Sequence, residues 1–113
     1  MRAELTVGRA RPCITPRMNA FEFLLQWYQN HCDGDWEHQY GVRINTIDNP
    51  GWQVQIDLAE TEMEEMALDY RLIENSETDW VGCSITNKVF VGAGDPAKLG
   101  TILGVFKEMA EKV

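Results

Sequence analysis

The residues of this chain that could do chemistry are concentrated in one short segment, residues 32–41, which reads CDGDWEHQYG. It combines a thiol, three carboxylates, an imidazole and two aromatic rings with glycines, where a chain is expected to turn and be exposed. Buried carboxylates are energetically costly, and large exposed aromatic rings are uncommon. The composition therefore indicates a surface that meets a substrate, a metal ion or another protein.

A calcium site is the first alternative, because Asp33, Asp35 and Glu37 alternate as at the start of an EF-hand loop. However, His38 replaces the glycine required at the sixth position, and Ile44 stands where the bidentate glutamate belongs. The EF-hand template fails, so carboxylates that cap local amides are favoured over a metal role with His38. We expect no cofactor and no bound metal.

A cysteine nucleophile is the second alternative, with Cys32 paired to His31 or His38. Acidic neighbours would raise the pKa of this thiol by like-charge repulsion, which opposes thiolate chemistry. The same charge disfavours a sulfurtransferase loop, which must hold an anion. We therefore expect no catalytic residues, and a small thiol or metal-dependent enzyme that uses Cys32, His38 and nearby carboxylates remains the alternative to a binding protein.

The net charge of −8 is distributed unevenly along the 113 residues. Residues 1–17 carry four Arg against Glu4, whereas residues 18–113 carry six Lys or Arg against 17 Asp or Glu, a charge of −11. Such an acidic body repels nucleic acid and favours basic partners by electrostatic steering, although acidity can also serve solubility alone.

The cysteines and the hydropathy pattern indicate the compartment. Cys13, Cys32 and Cys83 show no CxxC spacing and leave one thiol unpaired in any disulfide scheme, which favours reduced thiols. No apolar run approaches the roughly 20 residues that span a bilayer, and the Arg-rich N-terminus is unlike a secretory signal. We expect a cytoplasmic protein.

The first 17 residues show no periodicity and are expected to be a basic, flexible extension, with Met18 a candidate natural start. Asn19 and Glu22 form a capping-box pattern that predicts a helix over 20–31. Phe21, Leu24, Leu25 and Tyr28 follow at helical spacing and predict its buried stripe, and Phe23 and Trp27 widen it. Gly34 is expected to turn the chain with a left-handed conformation.

Five strands are predicted between this helix and a second one. Alternating residues predict a hairpin of 40–48 with 52–58, joined by Asn49–Gly51 with a positive φ at Gly51. Further strands are predicted at 69–75, 80–86 and 89–91, and the acidic segment 59–67 as a loop. Asp95 and Pro96 predict the start of a C-terminal helix to about 111, in which Gly100 and Gly104 would permit close backbone approach. The short connections predict an α+β domain over 18–113, an antiparallel β-meander of about five strands with an N-terminal and a C-terminal helix packed on it.

Three tryptophans, Trp36, Trp52 and Trp80, stand beside carboxylates. Core burial is favoured for Trp52 and Trp80, while exposure of Trp36 is an open question. Aromatic rings surrounded by acids suit a protein surface rich in Arg and Lys. We expect a partner-binding surface made of seven residues, the last two ranking second: Asp33, Asp35, Trp36, Glu37, His38, Glu77 and Asp79.

Ordered motifs along residues 18–113 resemble the immunity protein 53 family. They are Trp27-Tyr28 before Cys32, the segment 33–41, Asp48-Asn49-Pro50-Gly51-Trp52, Ile56-Asp57-Leu58, Ser76-Glu77-Thr78-Asp79-Trp80 and Gly92-Ala93-Gly94-Asp95-Pro96. The Arg-rich extension departs from the pattern.

The resemblance implies a non-enzymatic bacterial protein that binds and neutralises a cognate toxin of a polymorphic toxin system. Many such toxins are nucleases, and a basic nuclease groove would complement the acidic body, so we expect occlusion of such an active site. The partner is then a protein toxin domain, with no direct contact to nucleic acid or membrane. A homodimer is left open.

Overall fold

The fold was analysed in a computed structural model that describes residues 18–113. The predicted basic extension therefore lies outside the described residues. Three helices and five strands follow one another in the order α1, α2, β1 to β5, α3. The helices are Ala20–His31, Trp36–Gln39 and Leu99–Ala110, and the strands are Val42–Ile47, Gly51–Asp57, Leu68–Ser76, Asp79–Thr86 and Val89–Gly94.

Helix α1 has the predicted bounds because its start is capped reciprocally. The Asn19 side chain accepts from the backbone N–H of Glu22 at 2.8 Å, and the Glu22 carboxylate accepts from the N–H of Asn19 at 3.3 Å. Gly34, beyond the helix, adopts the expected left-handed conformation with φ 96°. Helix α2 is an element the sequence pattern did not predict, and it consists of a single turn inside the segment 32–41.

The five strands form one antiparallel sheet, which confirms the predicted α+β class. Their spatial order is β1-β2-β5-β4-β3, which differs from the sequential order of a simple meander. The connection 58–67 carries the chain from β2 to the far edge of the sheet, and β5 returns to pair between β2 and β4. Met63 anchors this connection because its side chain is fully buried in the core.

The β1–β2 hairpin has the predicted face-to-face register, with Val42 opposite Ile56. The three connecting residues are 48–50, one position earlier than expected, so Gly51 belongs to β2. The predicted positive φ at Gly51 is wrong, because Gly34 is the only described glycine with one. Glycine is needed at 51 for space, since a Cβ there would collide with the Gly94 carbonyl of the neighbouring strand β5.

The helices pack on one face of the sheet, where β2, β4 and β5 direct their buried side chains. Phe106 of α3 joins the layers, with ring centroids 5.5 Å from Phe90 of β5 and 5.1 Å from Trp27 of α1. Helix α3 begins at Leu99, later than the predicted start at Pro96. A Cβ at Gly100 or Gly104 would meet nothing within 4 Å, so the expected close backbone approach is wrong.

The orientation of α1 differs from the prediction. The helix buries Leu24 and Trp27 against the core, whereas Phe21, Leu25 and Tyr28 of the predicted stripe are 57%, 53% and 39% exposed. Both sides of this helix are apolar, so the regular spacing could not tell which side α3 would cover. None of the helices within residues 18–113 has the length and apolar character needed to cross a membrane.

Candidate functional site

The segment 32–41 is a turn whose carboxylates are used to hold it together. Asp33 Oδ1 accepts from the backbone N–H groups of Asp35 and Trp36, both at 3.0 Å, and thereby satisfies the first N–H of helix α2. Glu37 reaches back and accepts from the N–H groups of Asp33 and Gly34 at 2.9 and 2.8 Å. The backbone hydrogen bonds from Trp36 and Asp35 lower the pKa of Asp33. These two carboxylates thus have a local structural role and remain solvent-accessible.

Trp36 is a core residue, which answers the open question of its exposure and argues against an exposed aromatic anchor at this position. Its side chain is 3% exposed, and its Nε1–H donates to the Ala59 carbonyl at 2.9 Å. Its ring lies edge-on to Trp27, with centroids 5.9 Å apart, and also contacts Tyr28 and Tyr40. Burial is favourable because the ring is enclosed by aromatic neighbours and its single donor is satisfied. Trp36 therefore stabilises the turn by packing in the core below it.

Glu62, which the sequence pattern did not single out, fastens the loop 58–67 to helix α1. Its carboxylate accepts from Trp27 Nε1–H at 3.0 Å and lies 2.8 Å from His31 Nε2. Burial acts to raise the pKa of Glu62, but hydrogen bonds from its own N–H, His31 and Trp27 outweigh it and lower the pKa. The second ring nitrogen of His31 lies 2.7 Å from the Trp27 carbonyl. Both imidazole nitrogens are thereby engaged.

The bonds of Trp36 to Ala59 and of Glu62 to α1 place the acidic loop beside the acidic turn. Exposed carboxylates of both segments consequently share one end of the sheet. We call this surface the acidic end, and define it by Asp33, Asp35, Glu37, Glu60, Glu62, Glu64 and Glu65. Lys88 pairs with Glu64 at 3.4 Å, and the hydrogen bond from the Glu60 N–H lowers the pKa of Glu64.

The structure does not bring Glu77 and Asp79 to this surface. They lie at the β3–β4 turn, next to the start of β2 and the end of β5, whereas the acidic end adjoins the opposite ends of those strands. Seven residues of β2 at about 3.3 Å each separate the two groups by about 20 Å. The predicted seven-residue surface is therefore divided into two separate groups.

Asp79 belongs to an ion-pair cluster at that second end, in which Asp79 is half-exposed and Asp95 is buried. Lys98 Nζ donates to Asp79 Oδ1 and Asp95 Oδ2, both at 2.7 Å. Asp95 is 2% exposed and also accepts from the N–H groups of Trp80 and Ala97 at 2.9 and 2.8 Å. The hydrogen bond from Lys98 is the largest cause that lowers the pKa of Asp95 to about 2. This arrangement joins the end of β5, the start of β4 and the turn before α3.

The described thiols are in different environments. Cys83 lies buried in β4, and burial raises the pKa of its thiol to about 11, as expected of a packing residue. Cys32 is exposed, but both nitrogens of the adjacent His31 are held by Trp27 and Glu62. That histidine is therefore already committed to structural contacts. In residues 18–113 no three His, Cys, Asp or Glu side chains come together as a metal-binding group.

Comparison with known proteins places the chain in a family. Neither the curated proteins nor the solved structures include a match. The family model described as Immunity protein 53 matches residues 21–111, which include every helix and strand of the fold apart from the first residue of α1. Because this match extends over most of the sequence and ends close to the limits of the folded domain, the chain belongs to the immunity protein 53 family.

Proposed function

We propose that this protein binds and neutralises a cognate toxin of a bacterial polymorphic toxin system. The family match over residues 21–111 is the observation that carries the proposal. In this proposal the protein acts in the cytoplasm, and it protects the cell by occupying the toxin rather than by a reaction of its own.

The contacts within the turn 32–41 support binding over catalysis. Asp33 and Glu37 are engaged with backbone amides, and His31 is held through both nitrogens. A nucleophilic Cys32 would need a base that is free to take its proton. The enzyme alternative, in which Cys32 and His38 act with the carboxylates, would draw on Asp33 and Glu37, and these two side chains hold the turn.

The proposed contact surface is the acidic end together with the neighbouring exposed residue His38. The Asp35 carboxylate makes no hydrogen bond or ion pair to any other described residue, so it is available to an incoming cation. In contrast, four of the six cations in residues 18–113 are already paired with carboxylates of the same chain: Arg43, Lys88, Lys98 and Lys107. The surplus of negative charge is thus carried by side chains that a partner can reach.

A basic toxin surface is the chemistry that this charge favours. An active site that binds nucleic acid must attract phosphate, and the same positive groove would attract the acidic end. We therefore propose occlusion of a nuclease-type active site. Charge would mainly raise the association rate, while packing would set the lifetime of the complex.

Glu77 and Asp79 form a second candidate surface. Asp79 is engaged by Lys98, and the hydrogen bond from this lysine lowers the pKa of Asp79. Glu77 lies exposed at the tip of the β3–β4 turn. Because this pair is about 20 Å from the acidic end, it would contact the toxin only through a separate part of a large interface.

Charge reversal tests the assignment of the surface. The variant Asp35→Lys should protect cells poorly when co-expressed with the cognate toxin domain, which is to be identified by sequencing the neighbouring genes, and should lower the association rate with that domain by about an order of magnitude at low salt. The matched control is Glu108→Lys, an exposed acidic position on α3. A further variant, Glu77→Lys, reports on the second candidate surface. Equal protection by Asp35→Lys and Glu108→Lys would contradict the acidic end as the contact surface.

A further inference from the structure

Helix α1 presents an apolar stripe that remains largely exposed. Phe21, Leu25 and Tyr28 lie at i, i+4 and i+7, on the side of the helix away from α3. They face the edge strand β1, where Ile44 is 38% exposed. Large apolar side chains that cluster on a surface are characteristic of interaction sites.

Between α1 and β1 these side chains enclose an open groove of about 300 Å³. It is lined by Phe21, Leu24, Leu25, Tyr28, Val42 and Ile44, with Gly41 at one end. Leu24 is buried at its base, whereas the walls are formed by the half-exposed residues. A groove of this size and lining accepts one or two apolar side chains from a partner.

The groove leads directly into the acidic end. Tyr28 lies at their junction, with its ring centroid 6.1 Å from that of Trp36 beneath the turn. A hydrogen bond to Cys32 is the main cause that raises the pKa of Tyr28, and the nearby charge of Glu37 also raises it. The apolar groove is thus continuous with the acidic turn at the end where Tyr28 and Gly41 lie.

We propose that this groove is the apolar half of the toxin-binding surface and takes an apolar side chain from a toxin segment that also carries Lys or Arg. The inference rests on the proposed function and deepens it by naming the contact. The cations would meet Asp35 and the acidic end, while the apolar residue would pack between Phe21 and Leu25. Buried apolar anchors with charged surroundings are the usual composition of a tight interface.

Charge and area favour this partner over a second copy of the chain. A symmetric dimer through the groove would place two acidic ends side by side, in molecules that each carry a net charge of −8. A large side chain has a surface of about 150–250 Å². With the exposed fractions of the four residues, the groove presents roughly 350 Å² of apolar surface; they are Phe21, Leu25, Tyr28 and Ile44. A stable interface needs about 800 Å² on each partner, so the groove requires the adjoining acidic end to complete it.

Matched substitutions on the full chain test the inference. Leu25 and Ile73 are equally exposed at 53%, but Ile73 lies on β3 at the opposite edge of the sheet. The purified cognate toxin domain, identified as above, is titrated with each variant by calorimetry. We expect Leu25→Ser and Phe21→Ser to weaken binding by about tenfold or more, and Ile73→Ser to leave it within about twofold of the unchanged protein.

The outcomes separate the inference from the proposed function. Strong binding by the unchanged protein that Leu25→Ser and Phe21→Ser do not weaken would overturn the groove and leave the proposed function standing. Absence of binding by the unchanged protein would overturn both. Circular dichroism is the check that each variant is folded. Phe21 and Leu25 are both more than half exposed, so large stability losses are unexpected.

Two other occupants of the groove are distinguishable in the same samples. A dimer of the free protein that Leu25→Ser converts to a monomer in sedimentation would assign the groove to a second copy and overturn the proposal. If residues 1–17 exchange hydrogen faster in the free Leu25→Ser variant than in the unchanged protein, the groove is occupied by the chain's own N-terminal segment. That result would also overturn the proposal. Protection of α1 and β1 from exchange on addition of the toxin domain would support the proposal.

Discussion

Truncation of Trp36 is the substitution that most directly separates a structural role from a binding role. The ring is 3% exposed, contacts three aromatic residues and donates one hydrogen bond to the Ala59 carbonyl. Removal of a buried Trp side chain costs about 3–5 kcal/mol of unfolding free energy. The Trp36→Ala variant should therefore lose about 3–5 kcal/mol, a large fraction of the about 5–15 kcal/mol that is usual for a domain.

The variant Trp36→Phe provides the matched comparison, because it keeps an aromatic ring and removes only part of the volume and the Nε1–H donor. The lost hydrogen bond to Ala59 costs about 1 kcal/mol, and a small cavity adds to this. Urea unfolding followed by circular dichroism gives both values, since this signal does not depend on the tryptophan that is removed. At a temperature where Trp36→Phe is folded, it should bind the toxin as tightly as the unchanged protein.

Two results would refute this reasoning. A loss below about 1 kcal/mol for Trp36→Ala would show that the ring does not support the turn, because truncation of a buried Trp costs several times more. A folded Trp36→Phe variant that no longer binds the toxin would show that the indole touches the partner directly.

Three further predictions follow from the contacts. Lys98 and backbone amides lower the pKa of Asp95 to about 2, so the contribution of this carboxylate to stability is present above its unfolded pKa of about 3.9 and is lost as pH falls through about 2. Between these two pH values, thermal melts of Asp95→Asn should show a weaker pH dependence than melts of the unchanged protein. Gly51→Ala should destabilise the fold through a collision with Gly94, whereas Gly104→Ala, in open space on α3, should stabilise it by about 1 kcal/mol in urea unfolding. Cys32→Ala should leave protection against the toxin unchanged, and lost protection would favour the enzyme alternative.

The local structure was largely predictable because its signals are local. The capping box of Asn19 and Glu22 defined the start of α1 to the residue, and alternation with turn residues found all five strands within a few positions. The strand order was not predictable in the same way. Residues 59–67 contain no signal that they cross to the far edge, and the position of Met63 in the core depends on the completed sheet.

The candidate site was predicted in composition but not in arrangement. Glycine and carboxylates around Trp36 resemble an exposed turn, yet the ring is enclosed by residues of α1, whose side chains approach only after folding. Glu62 is 35 residues from Trp27 in sequence, so its hydrogen bonds left no local pattern. The sequence pattern predicted the wrong buried side of α1 because both sides are apolar, with Leu25 on one and Trp27 on the other. Packing against α3 determines that the side with Trp27 is buried.

Toxin inhibition at defined stoichiometry is the measurement that tests the central claim most directly. The cognate toxin domain is purified, its activity is assayed, and the full-length protein is added in increasing amounts. The proposed function predicts that activity falls to background at one equivalent and that an equimolar complex is recovered by size exclusion. Full toxin activity in the presence of excess protein, with no complex, would contradict the proposal that this member of the immunity protein 53 family neutralises that toxin by binding it.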